Sequence, residues 1–125
     1  MGTQNGAVVR NSGNLLWEKI TNERGVWISA RPQLPADAGK HGPCSFIVKL
    51  NSHMVDLGFD AASVSRLTTD NGTVMLPNFW SDGRGGHHLS GKLTFLGDTI
   101  ADATSITLTI DPPGLTRRVF SWTLQ

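Results

Sequence analysis

The sequence predicts an all-β chain, a single Ig-like or fibronectin-like β-sandwich of about seven antiparallel strands. Three observations carry that reading. Apolar and polar residues alternate with period two over one segment after another. Turn chemistry separates these segments, as at Asn71-Gly72 and Pro112-Pro113-Gly114. No segment sustains the 3.6-residue apolar period of a long helix. A partly closed barrel is the alternative architecture for the same pattern.

The elements follow in chain order. Residues 1–24 read as an N-terminal arm, with Ala7-Val8-Val9 as a short edge strand. Within the arm, NLLWEKIT fits either a helical turn or an edge strand. The domain proper spans 25–125. GVWISARP places Val26, Ile28 and Ala30 on one side and Trp27 and Ser29 on the other, which is a strand. PQLPADAGKHGP is a loop rich in Pro and Gly. SFIVKLNSH sets Phe46, Val48 and Leu50 against Ile47, Lys49 and Asn51. Met54 to Asp60 repeats the spacing through Val55, Leu57 and Phe59, and a further strand covers Ser63 to Thr69. Asp70-Asn71-Gly72 turns the chain into TVMLPNFW, where Pro77 marks an edge or bulge. The last three strands are His88 to Leu96, Thr104 to Asp111 and Arg117 to Leu124. Threonine and β-branched residues in the final pair suit a half-buried pleated surface.

The bulk properties bound the function. A chain of 125 residues is one domain, able to bury a core without disulfides or a structural metal. A net charge of +1 gives no strong field for nucleic acid or an anionic membrane. Arg117-Arg118 reads as a solvated face of the last strand rather than a nucleic-acid patch. No apolar run is long enough for a transmembrane helix. Cys44 is the only cysteine, so it forms no intrachain disulfide, and it reads as a structural, half-buried thiol beside Pro43 and Phe46. The N-terminal stretch lacks the apolar centre of a signal peptide, so an exported protein would need a leader absent from this sequence.

The sharpest chemical suggestion is SDGRGGHHLSG, residues Ser81 to Gly91. It reads as a glycine-rich hairpin loop leading into a strand. Adjacent histidines in extended backbone point to opposite faces, so His87 and His88 do not clamp one ion from a strand. His53 and Asp56 follow another strand end. If the fold brings them near His87 or His88, one of that pair can join them in a metal site suited to Zn or Cu. Otherwise the imidazoles are scaffold, tying loops together by hydrogen bonds. Arg84, Gly85 and Gly86 are a second ligand-binding expectation, as an anion-holding turn. Trp80, beside the loop, is the tryptophan expected to face a ligand. No G-x-S-x-G elbow and no H-x-x-x-H or C-x-x-C spacing is present, so an enzyme is not expected.

FIVKLNSHMVDLGFD, TTDNGTV, WSDGRGGHHLSGKLTF and RVFSWTL, taken in that order, resemble a group of uncharacterised bacterial and archaeal β-rich domains. The resemblance covers roughly residues 45 to 124. Members often follow a signal or lipoprotein peptide. The resemblance implies an extracytoplasmic protein with His53, Asp56, Gly85, Gly86, His87, His88 and Gly91 at signature positions. The functional expectation is a non-enzymatic binding module that takes a metal ion or small ligand through its histidines. The alternative is a structural or protein-interaction domain, meeting its partner through a sheet edge or loops.

Overall fold

The computed structural model describes residues 18–35, 41–98 and 100–124. Two antiparallel sheets face each other. The strands are β1 (Lys19–Glu23), β2 (Val26–Gln33), β3 (Cys44–Ser52), β4 (Ser65–Thr69), β5 (Val74–Met75), β6 (Phe79–Trp80), β7 (His88–Phe95), β8 (Ser105–Ile110) and β9 (Arg118–Thr123). The five-stranded sheet runs β1-β2-β3-β7-β6, and the four-stranded sheet runs β5-β4-β8-β9. The chain is therefore an all-β sandwich, with nine strands where about seven were expected. No helix among the described residues is long and apolar enough to cross a membrane.

The two additional strands come from segments that the alternation rule reads poorly. KITNE, inside the ambiguous arm segment, pairs with β2 through a two-residue turn at Arg24-Gly25, so the 24/25 boundary falls in a hairpin. Both turn residues have positive φ, which is the geometry of a tight hairpin. TVMLPNFW divides at Pro77 into β5 and β6, which belong to different sheets. Proline has no N–H for a ladder, so the chain crosses between layers there. The Ala7–Val9 expectation lies outside the described residues.

Met54 to Asp60 is not a strand. The Ser52 hydroxyl accepts from the amides of Met54 and Val55 at 3.3 and 2.7 Å, which turns the chain away from the ladder. Leu57 and Phe59 still reach the core, which explains the spacing of two without a strand.

The core comes from the inward positions of both sheets. Val26, Ile28 and Ala30 on β2, Phe46, Val48 and Leu50 on β3, and Leu89, Leu93 and Phe95 on β7 are buried. Leu67 on β4, Ile106, Leu108 and Ile110 on β8, and Phe120 and Trp122 on β9 meet them. Phe46 joins the layers: its ring lies 5.8 Å from Phe95 in its own sheet and 5.6 Å from Trp122 across the gap. Cys44 is fully buried in this core, and burial pushes its thiol up to about 12. That thiol is protonated and inert near neutral pH.

Arg118 corrects the solvated reading of the terminal arginines. Arg117 is exposed and pairs with Asp111 at 3.2 Å, but Arg118 is only 2% exposed. It shares the inward face of β9 with Phe120 and Trp122. Its guanidinium donates to the Thr116 carbonyl, the Thr21 hydroxyl and the carbonyls of Val26 and Glu23. Burial lowers its pKa, while the charge of Glu23 opposes that shift. Through these bonds, β9 of one sheet holds the β1–β2 hairpin of the other.

Candidate functional site

The glycine–histidine stretch is a hairpin loop between β6 and β7, as its composition implies. Side chains extend the pairing beyond the ladder. The Ser81 hydroxyl accepts from Lys92 N–H at 2.7 Å, and Asp82 accepts from Ser90 N–H at 2.8 Å. The amides of Ser90 and Gly83, both donating to Asp82, hold its carboxyl below the usual range. Gly91 is required by close approach: a Cβ there would lie 2.9 Å from Asp82 Cβ and 3.0 Å from Ser81 Oγ.

The turn expected to hold an anion is engaged by this chain, and one of its N–H groups, that of Gly86, meets a carboxylate. Gly85 and Gly86 have φ of +94° and +79°. Gly86 N–H donates to the Asp56 carboxylate at 2.8 Å, and Gly85 N–H donates to the Leu57 carbonyl. Leu57 N–H returns a bond to the Gly86 carbonyl, and Arg84 donates to the Gly58 carbonyl through Nε and Nη2. The expected Arg84, Gly85 and Gly86 site is thus engaged by residues 56–58.

The histidines have separate partners. His88 sits on the outward face of β7 opposite Asn51, with Nδ1 at 2.8 Å from Asn51 Oδ1. His87 is exposed, and its carbonyl accepts from Ser52 N–H at 2.8 Å. His53 packs perpendicular to Trp27, with ring centroids 5.1 Å apart. Among the described residues no three His, Cys, Asp or Glu side chains form a group able to hold a metal ion. His53, His87, His88 and Asp56 are neighbours in the fold through the bonds above, but they do not converge on one point.

Two concavities flank this region, and their chemistry differs. One, of about 410 Å³, is lined by Asp60, Ala62, Asn78, Phe79, Trp80, Asp82, Gly83 and Arg84. It contains the expected Trp80, which is half-buried against the core and donates its indole N–H to the Gly83 carbonyl at 2.9 Å. Its polar side chains are occupied: Asp60 caps Ala62 and Ser63, Asn78 accepts from Leu96 N–H, and Asp82 and Arg84 are bonded as described.

The other concavity, of about 370 Å³, lies on the outer face of the five-stranded sheet. Glu18, Ile20, Trp27, Ser29, Lys49, Asn51 and His53 line it. Its floor follows from register. Trp27 pairs with Asn51, and Asn51 with His88, so these three form one outward row across β2, β3 and β7. Ser29, Lys49 and Ser90 form the next row. His53, two residues beyond Asn51, leaves β3 on the same side. Among the described residues Glu18, Ser29 and Lys49 have no hydrogen-bond or ion-pair partner for their side chains. Ser29 is 7% exposed, so its hydroxyl is an unpartnered buried group.

Alternation alone puts Trp27, Ser29, Lys49 and Asn51 on the polar sides of their strands. The missing signal was registry: only the pairing of β2 with β3 shows that the polar sides adjoin and that His53 closes one end. No family model, curated protein or solved structure matches the chain.

Proposed function

We propose that this chain is a non-enzymatic binding module that holds a small ligand on the outer face of its five-stranded sheet. The supporting observation is the perpendicular Trp27–His53 pair standing over polar groups that the protein itself leaves unused. A ligand can lie flat against one ring and abut the other. Ser29, Lys49 and Asn51 then offer donors on the floor, and Glu18 an acceptor at the rim. The volume, about 370 Å³, falls at the lower end of small-molecule sites, roughly 300–1,000 Å³. The larger concavity near Trp80 has its polar groups already bonded, so it has less to offer.

The test is a ¹H–¹⁵N NMR titration of the purified protein with small sugars, carboxylic acids and aromatic amines. Shifts should gather at the Trp27 indole and at Ser29, Lys49, Asn51 and His53. Shifts gathered at Phe79, Trp80 and Arg84 would move the site, and silence at both concavities would end the reading. A parallel titration with Zn²⁺ and Cu²⁺ tests the histidines directly. A saturable response confined to His53, His87 and His88 would make them ligands after all.

The protein-interaction alternative has one observation of its own. Val74, Leu76 and Phe79 are exposed along the crossing that joins β5 and β6, the edge strands on one flank of the sandwich. Unpaired edges with apolar side chains are surfaces that other chains can extend.

A further inference from the structure

The face that carries the concavity is selectively cationic. On β2, β3 and β7 the outward positions are Trp27, Ser29, Arg31 and Gln33, then Ser45, Ile47, Lys49 and Asn51, then His88, Ser90, Lys92 and Thr94. Three of these are cations and none is a carboxylate, although the whole chain carries only +1. Arg31 and Lys92 flank Ile47 in one row, two strand spacings apart, which is about 10 Å. Lys49 lies diagonal to both, about 7–8 Å away by backbone position. Among the described residues no carboxylate pairs with any of the three. The nearest acid of the concavity is Glu18, at its rim.

We infer that the ligand is an acidic saccharide, a short chain of sugar units bearing carboxylates, with one unit against Trp27 and its acidic groups on Lys49, Arg31 and Lys92. The inference rests on the binding reading above and names its ligand class. The apolar C–H face of a pyranose suits an aromatic ring whose own face is electron-rich. Its hydroxyls match Ser29, Asn51 and Glu18, which together supply donors and an acceptor. Its carboxylates match three separated cations better than a single clustered anion would. A nucleic acid fits less well. Among the described residues Trp27 is the only tryptophan on this face, whereas a single strand stacks successive bases on successive rings. The near-neutral chain also lacks the long-range field that draws in a polyphosphate.

The experiment titrates the ¹⁵N-labelled protein in parallel with a galacturonate trimer, a galactose trimer, oligothymidylate and inorganic phosphate. The galacturonate trimer should shift Trp27, Ser29, Lys49 and Asn51, and should bind about tenfold more tightly than the neutral trimer. Lys49→Met should weaken it by about tenfold, with smaller losses in Arg31→Gln and Lys92→Gln, and added salt should weaken it further. These side chains are exposed, so the variants keep the fold.

Equal binding of the neutral trimer would overturn the acidic assignment and leave the binding site standing. Tighter binding of oligothymidylate at these residues, or phosphate reproducing every shift, would also overturn it. No response to the galacturonate trimer defeats the inference. If the small-molecule titration still localises to Trp27, the wider reading survives that result. If both are silent, both fall.

Discussion

The two outer faces of the sandwich follow the same period-two rule and end with opposite character. On the four-stranded sheet the outward rows are Thr68, Thr107 and Ser121, and Arg66, Thr109 and Val119. These are mostly hydroxyl groups, and one pair of them, Thr107 and Ser121, is bonded at 2.9 Å. On the five-stranded sheet the outward rows carry Trp27, Arg31, Lys49, Lys92 and His88. There, among the described residues, two side-chain bonds cross between strands, Asn51–His88 and Ser45–Thr94, beside three cations with no carboxylate partner. The two faces therefore differ in charge and aromatic area rather than in how fully their side chains bond across strands. A face that leaves like charges side by side forgoes some stability and keeps donors available.

The comparison breaks most severely at the latch between the sheets. Arg118→Met removes the guanidinium bonds to the carbonyls of Val26 and Glu23 and to the Thr21 hydroxyl, which tie the β1–β2 hairpin that carries Trp27 to β9. Urea unfolding should show a loss of about 2–4 kcal/mol. In the same variant, Trp27 should show faster amide exchange than Thr107 on the opposite face.

Gly91→Ala comes next. A methyl there must displace Ser81 and Asp82, so unfolding should report a loss of about 1–3 kcal/mol. The amide of Ser90, which Asp82 accepts, should lose its protection in hydrogen exchange.

Neutralising the cationic face is a smaller change in stability. Arg31, Lys49 and Lys92 changed together to Gln should leave stability within about 0.5 kcal/mol or raise it slightly, since like charges are removed. Arg66→Gln on the other face is the control and should leave galacturonate binding unchanged.

The mildest effect appears only in acid. Asp70 accepts from the amides of Thr104 and Ser105 and from the Thr104 hydroxyl, and these bonds hold its pKa down at about 2. A carboxyl depressed on folding stabilises the fold above its unfolded value near 3.8 and loses that effect as pH falls toward about 2. Denaturation followed from pH 5 to pH 2 should therefore be shallower in Asp70→Asn than in the parent.

Much of this was legible in the residues. Alternation in GVWISARP and SFIVKLNSH places two strands and assigns their inward sides, and the stretch from Thr104 to Asp111 is a third strand. Asn71-Gly72 marked the β4–β5 hairpin, and the glycines of residues 83–86 marked the β6–β7 loop. The candidate site was harder to read. His53 does border the concavity, but Asp56 accepts from Gly86, Gly85 donates to the Leu57 carbonyl and Arg84 donates to the Gly58 carbonyl. Conspicuous residue types drew attention to a loop whose polar groups serve the fold.

Local sequence determined what local physics controls: which segments extend, where they turn and which side of each strand is apolar. Steric limits on the backbone and the two-residue repeat act over a few residues, so they can be read a few residues at a time. Tertiary structure alone decided which polar sides adjoin, which donors are already used and where Arg118 is buried. Those outcomes depend on registry between strands far apart in the chain, and on contests for hydrogen bonds that no single segment contains. Thus Trp27, Lys49 and His53 become one surface only when β2 and β3 pair.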